Sequence, residues 1–187
     1  MRTHRSVSTL IVLLVFTAPS AFARAPFPDV TAAAFENAIL ARHNELRAKH
    51  GGPPMVIDNS IVNYAKSRAN LVSQKEGLSY GHAGLKGYGE NLYWSASSES
   101  SIDVTQAARA AVDSWYNEIK NYNFNNPGFS GTTGHFTQVV WKGSIKLGCA
   151  VAHGKGGKWF ETYVVCNYLE PGNMQGAFPQ NVARPTR

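Results

Sequence analysis

Residues 145–168, IKLGCAVAHGKGGKWFETYVVCNY, contain two apolar segments on either side of a glycine-rich stretch. The segments 145–153 and 159–168 have the length of strands and are rich in β-branched and aromatic residues. Glycines between them, at 154–157, permit the backbone conformations that a hairpin turn requires. This stretch therefore predicts a β-hairpin.

Helical periodicity precedes the hairpin in three segments. Asp29 or Thr31 is predicted to cap a first helix, which the glycines and prolines at 51–54 end. A second helix is predicted between 59 and 77, and a third between 103 and 121, whose apolar residues recur every three or four positions. These helices and the hairpin predict a mixture of helix and sheet.

Shorter segments lie between these elements. Residues 90–94, ENLYW, predict a short strand, whereas 135–141, HFTQVVW, fits a strand or a helix from its pattern alone. Glycine- and asparagine-rich loops are expected at 79–89 and 121–134. No internal repeat and no second domain is apparent.

The first residues have the features of a secretory signal peptide. A basic start precedes the apolar run LIVLLVF, and Ala21 and Ala23 offer small residues for cleavage. The run is shorter than the roughly 20 residues that span a membrane. We therefore expect an exported protein that begins near Arg24, and exclude residues 1–23 from the fold. The expected division is a lead-in over 24–34, one domain over 35–182 and a tail over 183–187.

The charge is basic and dispersed along the chain. The full chain has a formal charge of +6, and loss of residues 1–23 would remove two arginines and no acid, which leaves +4. No lysine- or arginine-rich run of the kind found in nucleic-acid-binding arms is present, so no nucleic-acid partner is expected. A basic surface would instead favour acidic membrane headgroups.

Two cysteines, Cys149 and Cys166, lie in the predicted hairpin. In an exported protein such a pair most simply forms one disulfide, and the alternative is two buried thiols. Direct cross-strand partners share one sum of residue numbers, and this pair centres the turn near 157–158. The composition centres it near 155–156, so a bulge or a longer loop is expected.

Four side chains from separate segments are candidates for chemistry. They are His82, Glu90, Glu118 and His135. Imidazole and carboxylate groups bind zinc and also perform general acid–base catalysis. Their spacing matches no fixed metal motif, and the alternative is that all four are solvated surface residues.

The loop after the third helix has an unusual concentration of apolar side chains. Tyr122, Phe124, Pro127 and Phe129 lie among asparagines and glycines. An apolar cluster in a loop can open to admit a lipid, or its rings can simply anchor the loop to the domain. Of the remaining aromatic residues, the four tryptophans are predicted to lie in the core and His43 to be packed or hydrogen-bonded. His50, beside a glycine-rich turn, is predicted to be exposed.

Several of these segments resemble one family in the same order. Segment 134–141 (GHFTQVVW) resembles the first signature of the cysteine-rich secretory protein, antigen 5 and pathogenesis-related (CAP) superfamily, and 163–173 (YVVCNYLEPGN) resembles the second. Segments 89–92 (GENL) and 115–122 (WYNEIKNY) match the blocks that hold the family's two glutamates. Segment 43–47 (HNELR) matches its first helix.

The resemblance runs from about Phe35 to Val182 and is strongest to Golgi-associated and to fungal or invertebrate secreted members. It implies an α+β fold, a three-layer α-β-α sandwich with a small antiparallel sheet between helices, in which 135–141 is a helix. It also implies that the two histidines and two glutamates meet in one open cleft able to bind a divalent cation, zinc or magnesium. Tyr122, Phe124, Pro127 and Phe129 resemble a sterol-binding loop of fungal relatives.

The function implied by this resemblance is binding rather than turnover. The four cleft residues include no serine or cysteine nucleophile, so no enzyme is expected. The leading hypothesis is a secreted protein that binds a sterol or fatty acid, with an acidic membrane surface or a host protein as further partners. The alternatives are a secreted defence or virulence factor that binds a partner protein, and a metal-dependent hydrolase.

Overall fold

The computed structural model describes residues 24–186. These residues form a four-stranded sheet that is enclosed by helices. The predicted signal peptide lies outside these residues. The elements are α1 (Ala33–Lys49), β1 (Val56–Ile57), α2 (Asn59–Val72), β2 (Gly89–Ser97), α3 (Val104–Tyr116), a 3₁₀ helix (Asn117–Asn121), α4 (Gly134–Val140), β3 (Lys146–Lys155), β4 (Phe160–Leu169) and α5 (Phe178–Asn181).

The elements form three layers, as the α+β prediction requires. In the sheet, which has the order β1-β3-β4-β2, side chains alternate between two apolar cores. One core joins the sheet to α2 through residues such as Ala65, Ala69 and Tyr163. The other joins it to α1, α3 and α4 and includes Trp115 and Phe136. Within residues 24–186 no helix is both long and apolar enough to cross a membrane.

The hairpin confirms the disulfide and resolves its register. Cys149 and Cys166 are bonded and directly opposite each other in an unbroken ladder that ends at the pair Lys155 and Phe160. The turn is therefore the four-residue loop 156–159, and the centre inferred from composition was wrong. Gly154 belongs to strand β3, where a Cβ atom would be 2.9 Å from the Phe27 ring, so the close packing of the lead-in requires a glycine there.

The start of α1 differs from the prediction. The helix begins at Ala33 without a side-chain cap. Thr31 Oγ1 instead accepts the Val151 N–H of β3 at 2.9 Å, and Asp29 Oδ1 accepts the Thr31 N–H at 2.9 Å. Backbone bonds from Val30 to Val151 and from His153 to Pro28 complete this attachment. The lead-in therefore uses both predicted caps to hold itself along the sheet.

Other boundaries follow from local caps. Asp58 and Asp103 accept the first N–H groups of α2 and α3, as N-cap residues do. Helix α2 ends at Val72 rather than near Gly77, and the predicted third helix changes to a 3₁₀ turn after Tyr116. Segment 135–141 is helical, as the resemblance implies. Strand β1, parallel to β3, was not predicted because two residues are too few to show a pattern.

Two sequence-based burial predictions were wrong. His50 is buried, because its ring binds the Ala183 carbonyl oxygen at 2.6 Å and the Tyr116 hydroxyl at 2.9 Å. These bonds tie the C-terminal tail onto α1. Trp159 has an exposed fraction of 43% because it lies in the hairpin loop rather than in the ladder. His43, by contrast, is packed and hydrogen-bonded as predicted.

Candidate functional site

Glu90 anchors one half of the site. It is the second residue of β2, and its side chain is fully buried. Arg68 of α2 binds both of its carboxylate oxygens, at 2.7 and 2.8 Å, and Asn167 of β4 donates to Oε2 at 3.1 Å. His82 Nδ1 donates to Oε1 at 2.9 Å. Glu90 therefore joins a strand, a helix and the His82 loop in one polar network.

The network keeps Glu90 ionised. Burial would raise the pKa of Glu90, but the hydrogen bonds from His82, Arg68 and Asn167 outweigh burial and hold that pKa below its ordinary value. A charged carboxylate accepts hydrogen bonds only, so His82 Nδ1 must carry the proton. In the neutral form of this imidazole, the lone pair is then on Nε2.

Arg68 also holds the loop that carries His82. Its guanidinium donates to the Ala83 carbonyl oxygen at 2.7 Å and to that of Gly81 at 3.3 Å. Sequence analysis predicted the helix that carries Arg68 but did not single out this residue. The available signal was the arginine itself, because a charged residue on a buried face requires a partner.

Glu118 and His135 form the other half of the site. Glu118 lies on the 3₁₀ turn after α3, and its Oε1 accepts His135 Nδ1–H at 2.8 Å. Its Oε2 accepts the backbone N–H groups of His135 and Phe136, at 2.9 and 3.2 Å, in the first turn of α4. Burial would raise the pKa of Glu118, but these bonds and the nearby imidazole lower it overall.

The two halves meet at one cleft of about 260 Å³. His82, Glu90 and His135 line it together with Asn91, Phe129, Gly131, Gly134 and Asn173. Glu118 is behind His135 and does not line the cleft. Within residues 24–186 no group of three or more His, Cys, Asp or Glu side chains is arranged to hold a metal ion. Each carboxylate instead binds the Nδ1 atom of its histidine.

The predicted lipid loop divides into an anchored and an exposed part. Tyr122 is buried, and its ring centre is 4.8 Å from that of Phe124 and 5.4 Å from that of Phe136. Phe124 is half-buried against the same ring of α4, at 6.2 Å. For these two residues the structure matches the alternative in which aromatic rings anchor the loop to the domain.

Phe129 forms the exposed part of the loop, with an exposed fraction of 65%. Together with Pro127 it lines one wall of a groove of about 590 Å³. The opposite wall comes from the segment after β4 and includes Phe178 and Pro179. Phe129 and Asn173 line both this groove and the histidine cleft, so the two predicted sites adjoin.

Comparison with protein-family models identifies the segments that form these sites. The model described as the cysteine-rich secretory protein family, CAP, matches residues 40–168. The chain belongs to the CAP family. The match includes both histidines, both glutamates and both cysteines of the sites described above.

The CAP domain is similar to proteins from distant organisms. It is 36% identical over 156 residues to the human Golgi-associated plant pathogenesis-related protein 1, covering 82% of this chain and 95% of that protein. It is also 36% identical over 168 residues to Secreted protein RBT4 of Candida albicans, covering 85% of this chain but 43% of that protein. The chain thus spans less than half of the fungal relative.

A solved CAP-like structure matches the fold. The structure titled "Crystal structure of NaASP2 with Zn2+" aligns with a TM-score of 0.64 at 26% identity, covering 86% of this chain and 91% of that one. This similarity confirms the α+β architecture. Its title records zinc with that protein.

Proposed function

We propose that this CAP domain is an exported protein that binds a sterol or a fatty acid in the groove beside Phe129. The observation that carries the proposal is an exposed phenylalanine facing a groove of about 590 Å³ whose opposite wall includes Phe178 and Pro179. A concave site lined by apolar rings together with polar side chains, here Asn173 and Gln175, is typical of small-molecule binding sites. Exposed aromatic surface of this kind is otherwise unfavourable in water.

The anchored rings give the groove a fixed wall. Because Tyr122 and Phe124 pack on Phe136, the loop is held against α4 while Phe129 remains free to contact a ligand. Phe129 is therefore assigned to direct contact, and Tyr122 and Phe124 to positioning of the loop. Pro127 lines the groove next to Phe129 and restricts the loop backbone.

The test is direct binding of a labelled sterol and a labelled fatty acid to delipidated protein. Burial of a phenylalanine side chain contributes about 1.5–3 kcal/mol, so Phe129→Ala should weaken binding by roughly tenfold or more. Ile145→Ala is the matched control, because Ile145 is 50% exposed but does not line the groove. Absence of saturable binding by the unaltered protein would overturn the proposal.

A second function is supported at the adjoining cleft, namely weak binding of a divalent cation such as zinc. In both histidines Nδ1 donates to a glutamate, and such carboxylate–histidine pairs commonly orient zinc ligands. His82 and His135 would bind the ion through Nε2, with water in the other positions. A bound ion would supply Lewis acidity there; this chain's own residues fix the two imidazoles.

Calorimetric titration with zinc tests the cation site. His82→Ala and His135→Ala should each abolish binding, whereas Glu90→Gln and Glu118→Gln should weaken it by roughly 10- to 100-fold through loss of orientation. His153→Ala is the control, since His153 binds Thr162 and Ser100 elsewhere. Equal zinc binding by the His82 and control variants would contradict this assignment.

Export is part of the same proposal. It is supported by the signal-peptide pattern of residues 1–23, by the disulfide and by the name of the secreted Candida relative. The human relative is named as Golgi-associated, a location that the same export route includes. N-terminal sequencing of protein recovered from culture medium should begin near Arg24.

A further inference from the structure

The end of the hairpin formed by β3 and β4 presents an indole and two lysines, and none of the sites above uses them. Trp159 is 43% exposed, and Lys155 and Lys158 are exposed. Among the ion pairs formed within residues 24–186, none includes either lysine. The hairpin tip, defined as residues 155–159, therefore combines an amphipathic aromatic ring with two cations that lack an acidic partner in that part of the chain.

The two ammonium groups lie beside aromatic rings. Lys158 Nζ is 4.7 Å from the centre of the Trp159 ring, and Lys155 Nζ is 4.7 Å from that of Phe160. Lys155 Nζ also donates to the Lys158 carbonyl oxygen at 3.0 Å. These contacts keep both charges at the tip and place that of Lys158 next to the indole.

The tip rests on a rigid base. The Gly156 N–H donates to the Trp159 carbonyl oxygen at 2.8 Å, and Gly156 packs directly on the buried carboxylate of Glu161. Arg24 binds both oxygens of that carboxylate at 2.8 Å, and Trp94 Nε1 donates to one of them at 3.0 Å. The tip is thus preorganised, which lowers the entropic cost of binding to a surface.

The geometry points to an anionic phospholipid bilayer as the partner of this tip. Tryptophan favours the headgroup level of membranes, where its apolar ring and polar N–H are both satisfied. Lysines close to a bilayer that contains anionic lipids are attracted to its negative surface potential. We propose that Trp159 enters the headgroup region while Lys155 and Lys158 contact acidic headgroups.

The hairpin tip is remote from the histidine cleft. Ser97 of β2 pairs with Phe160 beside the tip, whereas Glu90 of the same strand pairs with Asn167 at the other end of β4. The seven residue steps from Glu90 to Ser97 correspond to about 24 Å along the strand. A bilayer bound at the tip therefore leaves the cleft directed away from the membrane.

Glu99 is an acidic residue whose position opposes this interaction. It is exposed in the loop after β2, two residues beyond Ser97, at the same end of the sheet as the tip. Its charge should weaken attraction to an anionic surface. Glu99→Gln should therefore bind anionic vesicles more tightly than the unaltered protein does. This change is opposite in direction to that expected for the lysine variants.

Vesicle binding tests the proposal, with phosphatidylserine-containing and pure phosphatidylcholine vesicles as probes. We expect binding to the anionic vesicles that falls with added salt. Lys155→Gln and Lys158→Gln should each lower the partition constant by about fivefold, the effect of one lysine near such a surface. Brominated lipid should quench tryptophan fluorescence much more in the unaltered protein than in Trp159→Phe, because Trp115 and Trp141 are buried and Trp94 is half-buried, with its Nε1–H bonded to Glu161.

Matched controls separate the tip from the total charge. Lys86→Gln and Lys120→Gln remove exposed charges outside the tip and should have much smaller effects. Thermal melting of every variant checks that the fold is intact. Equal binding by the tip and control variants, binding to an acidic polysaccharide but not to anionic vesicles, or no binding at all would each overturn the proposal. Lipid binding at Phe129 is measured without vesicles, so its success or failure is independent.

Discussion

Arg68 is the residue on which the His82 half of the cleft depends. Its side chain is 3% exposed and makes four hydrogen bonds, two to the buried Glu90 carboxylate and two to the loop that carries His82. A buried ion pair contributes little net stability when both partners are compared with apolar residues. Removal of one partner is different, because it leaves an uncompensated charge in the interior.

Arg68→Met should therefore lower the free energy of unfolding by about 3–5 kcal/mol, measured by urea denaturation. Arg42→Met is the matched control: Arg42 is also helical and paired, but its acidic partners are half exposed, so about 1 kcal/mol or less is expected. The double variant Arg68→Met with Glu90→Gln should recover part of the loss. Equal effects at Arg68 and Arg42 would contradict a buried-charge role.

His43 makes stability depend on pH. Its Nδ1–H donates to the Ile39 carbonyl oxygen, and its Nε2 accepts the Tyr168 O–H, so the buried imidazole is neutral. Burial, helped by the charge of Arg47, lowers the pKa of His43 to about 4. In the unfolded chain the pKa is about 6.5, so the unfolded state binds the proton first as pH falls.

The free energy of unfolding should consequently decrease from pH 6.5 towards pH 4, by up to about 3 kcal/mol from this residue. His43→Gln should flatten that slope, whatever its effect on absolute stability. Urea denaturation at closely spaced pH values measures both. His50, whose pKa burial also lowers, contributes in the same direction, so His50→Gln serves as the comparison. An unchanged slope in His43→Gln would rule out this account.

Close packing between α2 and the sheet is the main constraint at the level of elements. A Cβ atom on Gly148 of β3 would be 2.2 Å from backbone atoms of Ile61 and Val62. Neither the β3 backbone nor the α2 backbone can move to relieve this contact without displacing α2 from the sheet. Because α2 also presents Arg68, the same contact sets the distance between this helix and the cleft.

Gly148→Ala should destabilise the fold by about 3 kcal/mol or more, at the upper end of overpacking effects. Gly157→Ala in the hairpin loop is the control, because its Cβ would meet no atom within 4 Å. Thermal melting and zinc titration report stability and cleft geometry separately. Comparable melting temperatures for the two variants would show that α2 can shift freely.

The elements also show where sequence reasoning stops. Strand-forming residues on either side of a glycine-rich stretch predicted the hairpin, and the numbering of Cys149 and Cys166 predicted its register. Segment 135–141 needed the family resemblance, because the same seven residues fit a strand by periodicity. The attachment of Thr31 to Val151 was not predictable, since a cap and a cross-strand contact use the same hydroxyl group.

At the scale of the whole molecule, the family resemblance predicted the three layers and which chain segments form the cleft. Residue type did not reveal that Glu90 and Glu118 bind Nδ1 atoms, because hydrogen-bond direction depends on coordinates. Nor did it distinguish Tyr122 from Phe129, which have similar rings but opposite exposure. The second wall of the groove, residues 173–179, comes from a segment after β4 in which sequence analysis predicted no helix or strand.

The separation of the two proposed binding ends leads to a final prediction about the intact molecule. Trp159 and Phe129 share no lining residue or partner. The part of β2 that runs from Glu90 at the cleft to Ser97 beside the tip is about 24 Å long. Effects of substitutions at such distances add to within about 0.5 kcal/mol. Trp159→Ala should therefore weaken vesicle binding equally with or without Phe129→Ala, and Phe129→Ala should weaken lipid binding equally in both backgrounds. Measurement of both affinities in the four proteins tests this. A coupling free energy well above that limit would mean that membrane binding at the tip alters the groove through the sheet.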